Sequence, residues 1–94
     1  MKQAARIDAN QPEIVKKLRD VGATVAVTSA LGNGFVDIVV GYRGTNYLLE
    51  IKDGSKPPSK RKLTEKEKVF HHTWNGSTAV VESADDALRV IGAI

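Results

Sequence analysis

Phe35-Val36-Asp37-Ile38-Val39-Val40-Gly41-Tyr42-Arg43-Gly44-Thr45-Asn46-Tyr47-Leu48-Leu49-Glu50-Ile51-Lys52-Asp53 is the stretch whose reading decides the fold. β-Branched and aromatic residues fill its two arms, and glycine and asparagine lie between them. It therefore reads as two strands joined by a tight turn over Gly41–Asn46. Three charged residues interrupt the arms. Side chains alternate along a strand, so Glu50 and Lys52 project from one face, and folding back lays the arm carrying Asp37 beside the arm carrying Glu50. Two carboxylates and an ammonium within apolar strands are costly unless they pair or bind something. Hard carboxylate oxygens suit a divalent ion such as Mg²⁺ or Mn²⁺. The plainer alternative is a Glu50–Lys52 ion pair on a solvent-facing sheet, with Asp37 at a strand end.

Upstream, a helix is predicted after Asp8-Ala9-Asn10-Gln11-Pro12. Asp8 or Asn10 can cap it, Pro12 suits the first turn and Gly22 can end it. Ile14, Val15, Leu18 and Val21 make an apolar stripe at helical spacing. Glu13, early in the helix, is a natural partner of the helix dipole, and Lys16, Lys17 and Arg19 read as a solvated face. Ala23–Ser29 alternates as a strand, and Leu31-Gly32-Asn33-Gly34 supplies a loop.

Downstream, Gly54–Leu63 is a loop by its Gly, Ser and Pro content. Its four basic residues, Lys56, Lys60, Arg61 and Lys62, suit contact with backbone phosphates, or else form an ordinary solvated loop. Thr64-Glu65-Lys66-Glu67 is a capping-box pattern opening a helix that runs to about Trp74, with Val69, Phe70, Thr73 and Trp74 expected as its buried side. His71 and His72 are adjacent, point in different directions and are not read as a catalytic pair. Ser77–Glu82 reads as a further strand. Ser83-Ala84-Asp85-Asp86 reads as a second capping box, opening a last helix in which Ala84, Ala87, Leu88 and Ile91 recur at helical spacing.

The 94 residues suffice for one domain spanning residues 1–94, with residues 1–8 expected as a flexible N-terminal segment. A domain this small buries a limited share of its surface, so a partner subunit would help. The absence of cysteine excludes disulfides, thiolate catalysis and cysteine-ligated zinc. No apolar run approaches the roughly twenty residues that span a bilayer, and the first residues lack a secretory apolar segment. A soluble, intracellular protein with no membrane partner is expected. A net charge of +3 and a pI near 9.3 mildly favour a polyanionic partner.

An Asp on one strand and Glu-X-Lys on the next, preceded by a helix carrying a Glu and followed by a basic loop, resembles the PD-(D/E)XK nucleases. The similarity is strongest to the small stand-alone phage and bacterial virus-type replication-repair nuclease (VRR-NUC) domains, and it covers about Asn10 to Ile94. The resemblance implies an α/β, restriction-endonuclease-like core in the order αβββαβα, with a mixed central sheet flanked by helices. It implies a Mg²⁺- or Mn²⁺-dependent DNA endonuclease, with Asp37, Glu50 and Lys52 catalytic and the Ile51 carbonyl a further metal ligand. Glu13 becomes a candidate metal ligand beside its dipole role. Family members often carry Gln where Glu67 stands, which gives Glu67 an outer role at the site beside its capping one. They usually carry Pro where Val36 stands. Homodimers, action on branched DNA such as Holliday junctions in repair or recombination, no small-molecule cofactor, and a bacterial or phage-infected cytoplasm are implied in the same way. Flap cleavage, duplex nicking and a non-catalytic DNA-binding module remain as alternatives.

Overall fold

The computed structural model describes residues 7–94. The elements are α1 (Gln11–Asp20), β1 (Thr24–Val27), β2 (Ile38–Tyr42), β3 (Thr45–Ile51), α2 (Glu65–Thr73), β4 (Thr78–Val81) and α3 (Ala84–Val90), with 3₁₀ turns at Ser29–Leu31 and Pro58–Lys60. This is the expected order, αβββαβα. The sheet runs β1-β2-β3-β4. β1, β2 and β3 are antiparallel neighbours and β4 joins β3 in parallel, so the sheet is mixed. Part of the expected N-terminal segment, Met1–Arg6, lies outside the described residues. No helix among the described residues is long and apolar enough to cross a membrane.

The hairpin turns later and more tightly than its composition implies. Tyr42 pairs with Thr45, leaving only Arg43 and Gly44 in the turn, both at positive φ, as a two-residue hairpin matching the strand twist requires. Gly41 belongs to the strand. A Cβ there would lie 2.8 Å from the Thr24 hydroxyl of β1, so the residue serves close approach and not chain reversal.

The two faces of the sheet are used differently. Ile38, Val40, Leu49, Ile51 and Val81 are buried against Ile14, Val15 and Leu18 of α1 and Ala87 and Leu88 of α3. Burial of side chains this size contributes about 1.5–3 kcal/mol each, so this face holds the fold together. By alternation, Glu50 and Lys52 project from the other side of β3.

α2 corrects one expectation. None of its residues is buried, and Val69 and Trp74 are 60% and 44% exposed. The expected apolar side exists, but it is not covered by the core, because both other helices occupy the opposite face. α2 is instead attached by specific contacts. The Phe70 ring meets Phe35 edge-on at 5.2 Å, and His71 Nδ1 lies 2.9 Å from the Thr78 hydroxyl. Gly34, at φ +84°, packs directly on the helix backbone, where an added Cβ would sit 2.5 Å from the Lys66 carbonyl oxygen.

Candidate functional site

Register brings the strand charges together. Ile38 pairs with Leu49, so Asp37, one residue before β2, comes opposite Glu50. The Asp37 N–H donates to the Leu49 carbonyl at 3.1 Å, and its Oδ2 accepts from the Ile51 N–H at 2.7 Å. The Asp37 carboxylate thereby continues the ladder past the end of β2. N–H and C=O of one strand residue point to the same edge, so the Ile51 carbonyl faces the side on which Asp37 lies.

Glu50 is the anomaly of the chain, a carboxyl only 3% exposed whose Oε1 is buried without a hydrogen-bond partner. An unsatisfied buried acceptor costs about 1–3 kcal/mol. Burial first, and then the hydrogen bond and charge of Asp37 and the charge of Glu67, push the Glu50 pKa up to about 10. With its pKa so raised, Glu50 is a neutral acid near neutral pH and can donate its proton to these neighbours; only on losing that proton does it become a group that can solely accept.

Lys52 Nζ lies 2.9 Å from Glu67 Oε1 and 3.9 Å from Glu50 Oε2. Burial works against its charge, but the Glu67 hydrogen bond and the fields of Glu67, Glu50 and Asp8 outweigh it and hold the pKa above its ordinary value. Glu67 has two tasks. Its Oε1 accepts the Thr64 N–H at 2.9 Å, while Thr64 Oγ1 accepts the Glu67 N–H, completing the capping box. The same Oε1 takes Lys52. Burial raises the Glu67 pKa, but Lys52 and the Thr64 N–H prevail and lower it. The start of α2 is therefore tied to the Glu-X-Lys strand through one oxygen. His71 makes its hydrogen bond to Thr78, and burial, against the field of Glu67 and with that of Lys52, lowers its pKa.

The remaining sequence-derived residues fall in different places. Glu13 is exposed and lines a separate groove with Asn10, Asp53 and Glu82, away from the Asp37–Glu50–Lys52 contacts. Lys56, Lys60 and Lys62 are exposed. Arg61 is more enclosed, donating to the Lys56 carbonyl at 2.8 Å and pairing with Glu82 at 3.2 Å, which braces the basic loop against the end of β4.

Three residues ahead of Glu13 were not singled out for the site. Asp8 is half-buried, and its pKa is raised by burial and by Asp37, with Lys52 opposing, so it senses the cluster. Asn10 does not cap α1 with its side chain. Its Nδ2 donates to the carbonyls of Lys52 (3.1 Å) and Glu82 (3.0 Å), clamping the ends of β3 and β4. Gln11 is buried and exchanges hydrogen bonds with Ser29, whose hydroxyl also reaches the Asp37 carbonyl. Asp8 and Asn10 have capping chemistry, and that signal masks a tertiary role in the sequence.

Beside Asp37 and Glu67 runs an open groove of about 500 Å³, bordered by Ser29, Asn33, Phe35 and Lys66. No family model matches the sequence, and no curated protein matches it. A solved structure described as a VRR_NUC domain does match. It aligns over 86% of this chain and 88% of its own length, with a TM-score of 0.54 and 25% sequence identity. The chain has the fold of a VRR-NUC nuclease-like domain. In this VRR-NUC-like fold the acid–lysine cluster occupies the sheet face turned away from the apolar core.

The donor set fits a divalent ion of the hard type. Among the described residues no group of three or more Asp, Glu, His or Cys side chains is assembled for a metal. Asp37, Glu50 and the Ile51 carbonyl form a sparse oxygen set, the kind Mg²⁺ uses when waters and phosphate oxygens complete its shell. Glu50 Oε1 is buried with no hydrogen-bond partner, so a deprotonated Glu50 would present a free oxygen to such an ion.

Proposed function

We propose that this chain is a divalent-metal-dependent endonuclease that hydrolyses phosphodiester bonds in DNA, with branched DNA such as four-way junctions as its substrate. The observation that supports it best is the buried Glu50 carboxyl beside Asp37 and Lys52, within a fold like that of a VRR_NUC domain.

Asp37, Glu50 and the Ile51 carbonyl would hold Mg²⁺ or Mn²⁺, which when bound polarises a phosphate oxygen and lowers the pKa of water. Glu50 must lose its proton before it can serve as such a ligand, which links occupancy of the site to proton release. Lys52, kept charged by Glu67, supplies a fixed cation toward the charge that builds on phosphorus. The alkyl stem of Lys52 is partly buried and its head is anchored at 2.9 Å, so little reorganisation is needed when a strand enters. Lys56, Lys60 and Lys62 would hold the phosphate backbone, and Arg61 would shape the loop that carries them. Glu13 remains an outer candidate ligand, and Asp8, whose carboxyl feels the charges of Asp37 and Lys52, is a second carboxylate from the segment before α1. A homodimer would present two such sites to two strands of a junction.

The test is cleavage of labelled four-way junction, flap, nicked and linear DNA with Mg²⁺ or Mn²⁺ and with EDTA, for wild type and Lys52→Ala in parallel. Metal-dependent cutting that the variant loses supports the proposal, and the substrate order decides the branch preference. Binding without cutting under every condition would replace the nuclease with a DNA-binding module.

A further inference from the structure

α2 carries apolar side chains that the fold does not use. Val69 and, just past the helix end, Trp74 are exposed, while the Phe70 ring stacks on Trp74 at 5.2 Å and 29°. The stack is held in place from both ends. Phe35, two residues before Asp37, meets Phe70 edge-on, and Gly76 leaves room for the indole, since a Cβ there would lie 2.8 Å from Trp74 Nε1. A second groove, of about 390 Å³, is lined by Val69, Phe70 and Thr73; Trp74 is outside its lining and adjoins it through the stack on Phe70. It shares Asn33, Glu65 and Lys66 with the groove beside Asp37 and Glu67. The two grooves border one another at these three residues, beside the start of α2.

We infer that Val69, Phe70 and Trp74 form a ledge that receives an unpaired base of the nucleic-acid strand whose backbone passes the Asp37–Glu67 groove. This rests on the proposed action on nucleic acid. Aromatic faces accept any base, and the stacking needs no sequence-specific hydrogen bond. Lys66, on the rim shared by both grooves, places a cation where the backbone of such a strand would cross. A second copy of the chain is the weaker occupant. One face of a nine-residue helix offers roughly 13 Å by 10 Å, on the order of 130 Å², against about 800 Å² per partner in a stable interface. An unpaired base is an element of a branch or a frayed end and is absent from intact duplex, so the ledge would contribute directly to substrate choice.

Trp74 is the sole tryptophan of the chain, so its fluorescence reports on the stack with Phe70 at the edge of the groove. The experiment titrates the full chain in EDTA, where no cleavage is required, with a short oligothymidylate and with blunt duplex of equal length. The titrations are repeated for Trp74→Ala, Trp74→Phe and Val69→Glu, and sedimentation velocity is run on each protein. Quenching of Trp74 by the oligothymidylate but not by the duplex is expected. Affinity for the single strand should fall about tenfold in Trp74→Ala and Val69→Glu, while Trp74→Phe, which keeps a ring, retains most of it. Should Trp74→Ala fail to fold, the other two variants decide. Unchanged single-strand affinity in the variants, or a change of oligomeric state without a change in affinity, would overturn the ledge. The nuclease reading fails separately, by absence of metal-dependent cleavage while the quenching persists.

Discussion

The two sides of the sheet solve different problems. α1 and α3 are held by close-packed apolar side chains, Ile14 and Leu18 against Leu49 and Ile51, and everything they present to the sheet is core. α2 has no fully buried residue and is held by discrete contacts of partly buried ones: Gly34 on its backbone, Phe35 on Phe70, Lys52 on Glu67 and Thr78 on His71. Stability thus resides on one face and the candidate chemistry on the other. Because the charged cluster is separated from the core, Glu50 can hold an unsatisfied oxygen without disturbing the packing that pays for the fold.

That contrast is open to direct attack. Leu18→Ala should lower unfolding stability by about 2–5 kcal/mol, whereas Val69→Ala should change it by no more than about 0.5 kcal/mol. Urea denaturation measures both, and comparable losses would erase the distinction between the faces. Glu67→Gln comes next. The amide oxygen can still cap α2 and accept from Lys52, and Gln is common here in the nucleases the chain resembles, so cleavage should be largely retained. Glu67→Ala, which leaves Lys52 unanchored, should lower it roughly ten- to a hundredfold with the fold intact by circular dichroism. Undiminished cleavage in Glu67→Ala would show that Lys52 needs no anchor.

The proton on Glu50 gives a further test. Its folded pKa, about 10, exceeds the ordinary value of 4.5, so across that window the folded protein retains a proton that the unfolded chain has released. Stability of the metal-free protein should therefore decline as pH rises from about 6 to about 9, by at most about 1.4 kcal/mol per pH unit. Glu50→Gln, which mimics the protonated form, should flatten the decline. A pH-independent melting temperature in wild type would contradict the assignment.

The smallest effects concern the basic loop. Lys60→Ala and Lys62→Ala should each reduce the slope of log affinity against log salt for duplex DNA by about 0.9. Arg61→Ala should show less of this and instead cost about 1 kcal/mol or less of stability through its Glu82 pair. The same slope change for all three would make Arg61 a phosphate contact like its neighbours.

Much of the fold was legible because local signals agreed. Thr64 and Glu67 formed the predicted box, and alternation in the two arms around Gly44 gave the hairpin and the juxtaposition of Asp37, Glu50 and Lys52. The Ser83 box was only half right. The Ser83 hydroxyl accepts the Asp86 N–H, but Asp86 reaches back to the N–H of Glu82 instead of closing the box. The turn was misplaced because composition cannot tell a glycine that reverses the chain from one, like Gly41, that lets Thr24 come close. α2 was misread because an apolar stripe has the same period whether or not another layer covers it. Asp8, Asn10 and Gln11 were missed because their partners lie 18 to 72 residues away or act through space, and nothing in helix-capping chemistry encodes that.

The decisive measurement is Mn²⁺ binding to the nucleic-acid-free protein, followed by electron paramagnetic resonance of the free ion, for wild type, Asp37→Ala and Glu50→Gln near pH 8. If the buried pair is the metal site, wild type binds saturably with proton release and both variants lose that binding. Saturable binding that survives both substitutions, or its absence from wild type even with uncleavable DNA present, would contradict a metal centre at Asp37 and Glu50.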